Sequence, residues 1–212
     1  MEPDHRCPDR RRLLTGAAAL AASAALVPFT AAGAGAAVHR PAPAGGAYPP
    51  HQWVPASPSN FTAAHRPAKY PVEMVVVHVT QETYKDTLKL FKDPRHKAAA
   101  HYLVRSADGK LAQCVRERDV AWHAGNWDYN TRSIGIEHEG WTDDPTWFTD
   151  PLYEQSARLT AAICDRYRIP KDREHIIGHV EVPGTDHTDP GEFWDWERYL
   201  MLVNEASWRG VG

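Results

Sequence analysis

The run Met74-Val75-Val76-Val77-His78-Val79 constrains the fold more than any other segment of the chain. Four of its six residues are valine, and β-branched side chains favour extended backbone. An apolar run that does not alternate reads as a strand covered on both faces, hence the middle of a sheet. His78, near the end of that strand, is then the odd residue. A buried polar ring needs a partner. That partner is either a hydrogen bond in the core or a metal, for which neutral imidazole is a common ligand.

The rest of the pattern surrounds such a strand. Residues 80–92 read as a helix, with Thr80 or Thr83 near its cap, Leu88 and Phe91 on its apolar side and Pro94 ending it. Residues 101–105 and 110–115 read as two strands joined around Asp108-Gly109. Residues 133–138 read as another strand. Residues 152–167 carry Leu152, Leu159 and Ile163 along one helical stripe, with Pro170 beyond the end. Residues 193–206 read as a C-terminal helix. These elements make an α/β domain, a single mixed central β-sheet flanked by helices. At 212 residues, one main domain is expected.

The first 37 residues read as a removable export signal and not as part of the fold. Arg10, Arg11 and Arg12 precede Leu13 and Leu14, an Ala-rich apolar run follows, and A-x-A patterns close it at residues 32–36. The arginine pair ahead of Leu-Leu fits a twin-arginine signal, so a secreted protein is expected. Ala and Gly dominate the run and it is barely long enough to span a bilayer, so no stable membrane insertion is expected after signal removal. Residues 38–60, rich in Pro and Ala, read as a linker or extended arm that Trp53 anchors. The domain proper is placed at residues 61–212. Cleavage after residue 36 removes four Arg and three acids and takes the formal charge from −3 to −4. Without a basic face, nucleic acid is a poor partner. Cys114 and Cys164 remain in the mature chain. A disulfide and two separately buried thiols are equally compatible with that pair.

The chemistry concentrates in residues 179–191. His179 directly follows the apolar Ile176-Ile177-Gly178, and two Pro-Gly pairs make the loop fit to turn back and bring Asp189 toward His179. Two His and one carboxylate make a zinc set that leaves a fourth position for water. Glu137 lies in Ser133-Ile134-Gly135-Ile136-Glu137-His138. Strand alternation turns it away from Ile134 and Ile136, where a carboxylate can serve as a general base. Gly135 beside it suggests a close approach to the backbone.

With these residues assembled, the chain resembles the zinc N-acetylmuramoyl-L-alanine amidases of type 2, the superfamily of the peptidoglycan recognition proteins. The resemblance is carried by residues 75–80, by Ala100-His101-Tyr102-Leu103-Val104, by Asp108-Gly109 and by Ala121-Trp122-His123-Ala124-Gly125. It continues through residues 133–137, Gly178-His179 and Thr188-Asp189-Pro190-Gly191, in the family's order over roughly residues 70–200. It implies zinc as cofactor with His78, His179 and Asp189 as ligands, and Glu137 as the group that orients or deprotonates the zinc water. It implies a monomer that takes peptidoglycan, as muropeptide, and cuts the amide between N-acetylmuramic acid and L-alanine. The family commonly has a Lys two residues before the third ligand to hold the oxyanion. His187 stands there instead, able to donate an N–H to the same charge. Ala100 stands where the phage-type members have a catalytic Tyr, which fits the bacterial subgroup that uses Glu. His101, Trp122 and His123 are expected to line the substrate groove. A module that only binds peptidoglycan, or a zinc peptidase cutting inside the stem peptide, are the competing readings.

Overall fold

The computed structural model describes residues 47–208. The export signal expected at residues 1–37 and the start of the expected linker lie outside them. In chain order the elements are β1 (His51–Trp53), β2 (Phe61–Thr62), β3 (Met74–Val79), α1 (Tyr84–Lys92), β4 (Tyr102–Val104) and β5 (Leu111–Gln113). They continue with β6 (Val120–Ala121), α2 (Trp127–Arg132), β7 (Ser133–His138), α3 (Asp150–Tyr167), β8 (Ile176–Gly178) and α4 (Trp196–Trp208). Six strands form one mixed sheet in the order β1-β5-β4-β7-β3-β8. β3 lies between β7 and β8 and is parallel to both. β4 runs parallel to β7 and antiparallel to β5. The expected α/β class, a mixed sheet flanked by helices, is what forms.

Burial explains the central place of β3. Val75, Val76 and Val77 have no exposed surface, each worth roughly 1.5–3 kcal/mol in area removed from water. Val75, Val77 and Val79 pack with Ile134, Ile136 and the buried stripes of α3 and α4. Met74 and Val76 face the other way, onto Ala124, Ile177 and Val182. On that second side α1 contributes Tyr84 and Phe91 to a cluster with Leu103 and Ala112. Cys114 belongs to the α1 cluster and Cys164 to the α3 cluster, on opposite sides of the sheet. Both are free thiols, pushed up to about 12 by burial. The pair therefore resolves as two separately buried thiols.

Several boundaries differ from expectation for local reasons. α1 starts at Tyr84, not at residue 80, because Thr80 spends its hydroxyl on a turn with Glu82. Thr83 is left to cap the helix by accepting the Asp86 N–H. α4 starts at Trp196, where the Asp195 carboxylate accepts the Arg198 N–H. The β4–β5 connection turns at Gly109, whose φ of +68° is a left-handed conformation that glycine adopts without steric cost.

Within the arm expected at residues 38–60, residues 51–53 are sheet. β1 pairs in parallel with β5 as the edge strand. Its three residues are all exposed, so no apolar pattern announced it. Trp53 does anchor it, with the Arg116 guanidinium 4.6 Å over its ring. Tyr48 adds a second anchor. Its hydroxyl joins those of Tyr102 and Tyr167 in donating to the buried Glu117 carboxylate, each at 2.8 Å. Hydrogen bonds to a charged group contribute roughly 1.5–3 kcal/mol apiece.

Under the α3 side of the sheet runs a buried polar chain. His138 Nδ1 donates to the carbonyl of His78 at 2.8 Å, and its Nε2 accepts from Ser156 Oγ at 2.6 Å. Tyr199 links Ser156 to Thr160. Burial pushes the His138 pKa down to about 3, whereas an unfolded histidine titrates near 6.5. The unfolded chain thus binds this proton first. His138 favours the fold fully above about pH 6.5, and that contribution, on the order of a few kcal/mol, drains away as pH falls toward 3. The thermal midpoint should therefore fall more steeply across that window than in His138→Gln. Parallel pH profiles for the two proteins would show that His138 does not drive acid lability.

Candidate metal centre and cleft

Strand register brings the chemistry to one end of the sheet. His78 on β3 pairs with Glu137 on β7, and Val77 pairs with Gly178, the last residue of β8. Because all three strands are parallel, His78, Glu137 and His179 meet at their carboxyl ends, where open α/β sheets place their ligands. Alternation puts His78 on the face of Met74 and Val76, with Ser133, Gly135 and Glu137 beside it.

Asp189 reaches this point because the loop after β8 closes on itself. His179 opens a 3-10 turn, His179–Glu181, which the Glu181 carboxylate secures by accepting the Gly178 N–H at 2.7 Å. The Val180 N–H then donates to the Asp189 carbonyl at 2.9 Å. The Asp189 carboxylate lies 3.1 Å from His179 Nδ1 and 3.3 Å from His78 Nδ1, and accepts the Val79 N–H at 3.3 Å.

One ligand atom from each of His78, His179 and Asp189 fits within 4.8 Å, and all three residues are buried. The donor set suits zinc: two imidazoles and one carboxylate. Burial pulls the His78 pKa down, so the ring is neutral, as a ligand must be. Asp189 stays ionised. Burial works against its charge, but the neighbouring imidazoles of His179 and His78 outweigh burial and hold it below the usual carboxylate range. Two buried polar atoms at the site, His179 Nε2 and Glu137 Oε2, have no protein partner. Atoms left so are costly, and a bound cation with its water answers that cost. Burial, and then the charge of Asp189, raise the Glu137 pKa well above normal.

A cleft of about 770 Å³ opens over these groups. His187 lies at its rim, with its side chain 61% exposed and Nδ1 3.5 Å from Asp189. Its ring stacks on His179 at 4.2 Å. Trp122 lines the cleft and donates its indole N–H to Thr62 at 2.9 Å. The structure thus gathers His78, His179, Asp189, Glu137, His187 and Trp122 in one place.

One expected groove residue, His101, stands elsewhere. His101 has no exposed surface and is absent from the cleft lining. It accepts the Gly135 N–H on Nδ1, and its Nε2 is wedged between the Asp119 carbonyl and Arg66. It stands just before β4 and its ring turns to the Gly135 N–H, a direction the motif does not reveal. His123 does touch the cleft, but it is buried and both its ring nitrogens are engaged, by His78 and by Ser133. Residues that sequence reasoning missed include Trp127, 52% exposed, and Leu90 on the rim. An apolar residue on a short helix carries no signal of where it points.

Residues 68–192 match the family model described as N-acetylmuramoyl-L-alanine amidase. N-acetylmuramoyl-L-alanine amidase A of Achromobacter lyticus is 33% identical over 169 residues, covering 72% of this chain and 92% of that protein. The 1,6-anhydro-N-acetylmuramyl-L-alanine amidase AmpD of Haemophilus influenzae is 40% identical over 114 residues, 50% of this chain and 59% of that protein. A crystal structure of a selenomethionine AmpD derivative superimposes with a TM-score of 0.60 at 29% identity, covering 72% of this chain and 94% of that one. The Staphylococcus aureus hydrolase AmiA has the same fold, with a TM-score of 0.61 at 21% identity.

Proposed function

The chain belongs to the N-acetylmuramoyl-L-alanine amidase family, and from that premise we propose that it is exported and cleaves the amide joining N-acetylmuramic acid to L-alanine in peptidoglycan, with zinc as its cofactor. The observation that carries the reading is the convergence of His78, His179 and Asp189 beneath a cleft that also presents Glu137.

When bound, zinc supplies a Lewis acid that polarises a carbonyl and acidifies water at neutral pH. His78, His179 and Asp189 would hold it, with one negative charge against two. Glu137 takes the proton from the attacking water on its unpartnered Oε2 and later delivers it to the departing L-alanine nitrogen. Its apolar surroundings raise its proton affinity, which suits both halves of that transfer. His187 at the rim offers an N–H to the developing oxyanion. Trp122 and Trp127 give the cleft flat apolar walls for sugar or peptide. Export rests on the basic, apolar and A-x-A features of residues 10–37. Among the described residues no helix is long and apolar enough to cross a membrane.

Product analysis on purified peptidoglycan, with and without a chelator, tests the activity. Mass spectrometry should find free muramic-acid carboxyl groups and intact stem peptides beginning with L-alanine, and the chelator should abolish them. Shortened stems still attached to muramic acid would replace this reading with a peptidase. Zinc-loaded protein that releases no new amine ends would replace it with a binding module.

A further inference from the structure

His123 lies between Ser133 and His78, and its surroundings dictate where its proton sits. Ser133 Oγ lies 2.5 Å from the carbonyl of Tyr129. A carbonyl cannot donate, so the single hydroxyl hydrogen of Ser133 goes there. Toward His123 Nε2, 3.1 Å away, Ser133 can then only accept. Nε2 of His123 therefore carries the ring proton. A buried imidazole without a carboxylate partner stays neutral, which leaves Nδ1 as a bare lone pair. That atom lies 2.9 Å from His78 Nε2, so it must accept a proton from it. In its neutral form, the one a metal ligand takes, His78 is thereby left with an unprotonated Nδ1, 3.3 Å from an Asp189 carboxylate oxygen. A lone pair facing a carboxylate oxygen is a place for a cation.

We propose that Ser133 and His123 form a positioning relay that imposes the Nε2–H tautomer on His78 and so keeps its Nδ1 free for the metal. The proposal rests on His78 being a metal ligand, as read above. The relay is held in place from two elements. The ring of His123 lies directly on Gly135, where a Cβ would come within 2.5 Å of Cγ and Nδ1. This is the close approach that the glycine permits. Asn130 on α2 fixes the backbone, its Oδ1 accepting the N–H groups of His123 at 3.0 Å and Ala124 at 2.8 Å. Outer partners that fix the tautomer of a ligand histidine are worth roughly 10- to 100-fold in metal affinity.

The test has two arms. In the metal-free full chain, ¹⁵N NMR of the histidine rings should show His78 protonated at Nε2, its resonances assigned by their loss in His78→Gln. Zinc affinity, read by competition with a chelating dye, should fall roughly 10- to 100-fold in His123→Leu. It should recover largely in His123→Asn, whose Oδ1 restores an acceptor near the Nδ1 position. An Nδ1–H tautomer at His78 overturns the relay, as does a His123→Leu protein that binds zinc as tightly as wild type. If His123→Leu does not fold, the wild-type spectrum decides alone. Wild-type protein that binds no zinc would end the metal reading, while the spectrum would still settle the tautomer.

Discussion

Glu137→Gln should retain one zinc per chain and lose about 10²- to 10⁴-fold in kcat, the usual contribution of a positioned general base. The substitution preserves shape and removes only the ability to take a proton. Glu137 sits opposite His78 on the neighbouring parallel strand, and its Oε2 is buried without a partner. Burial and the charge of Asp189 raise its proton affinity, so the neutral amide should be accommodated without loss of stability. Metal analysis and steady-state kinetics on the same preparation decide the matter. Full activity in the variant would remove Glu137 from the proton transfer and leave the base unassigned.

The second large effect is expected at Asp189. Asp189→Asn should lose stoichiometric zinc and, with it, measurable hydrolysis. Asp189 is the one anionic member of the set, and its carboxylate also binds together the site's three sources: the imidazoles of His78 and His179 and the N–H of Val79. Removing the charge should cost more than the roughly 10- to 100-fold expected for an outer partner. His78→Ala and His179→Ala should behave alike. Zinc retained after dialysis in all three variants, with unchanged rates, would refute the site.

The contrast between His101 and His123 locates the limit of what the chain's order reveals. Both lie in motifs that resemble those of the family, and both were expected in the groove. Nothing local distinguishes a ring that turns into the sheet, against Gly135 N–H, from one that lies upon Gly135 and reaches His78. β1 shows the same limit from another direction. An exposed three-residue edge strand has no apolar alternation to read, because main-chain pairing with β5 and the Tyr48 and Trp53 anchors hold it.

What the sequence determined by itself were the features encoded in neighbouring residues. The valine run makes β3 a central strand, alternation turns Glu137 away from Ile134 and Ile136, and Thr, Pro and Gly at the ends delimit the helices. These depend on backbone preference and side-chain periodicity, which act within a few residues. Only the tertiary structure decided that His78, Glu137 and His179 share one end of the sheet, that Asp189 returns to meet them, and that Ser133 speaks to His78 through His123. Those facts depend on strand register, on the closure of the loop that brings Asp189 back to His179, ten positions earlier, and on hydrogen bonds between distant segments. Such contacts are set by how surfaces fit in space, and the linear order of residues does not carry that information locally.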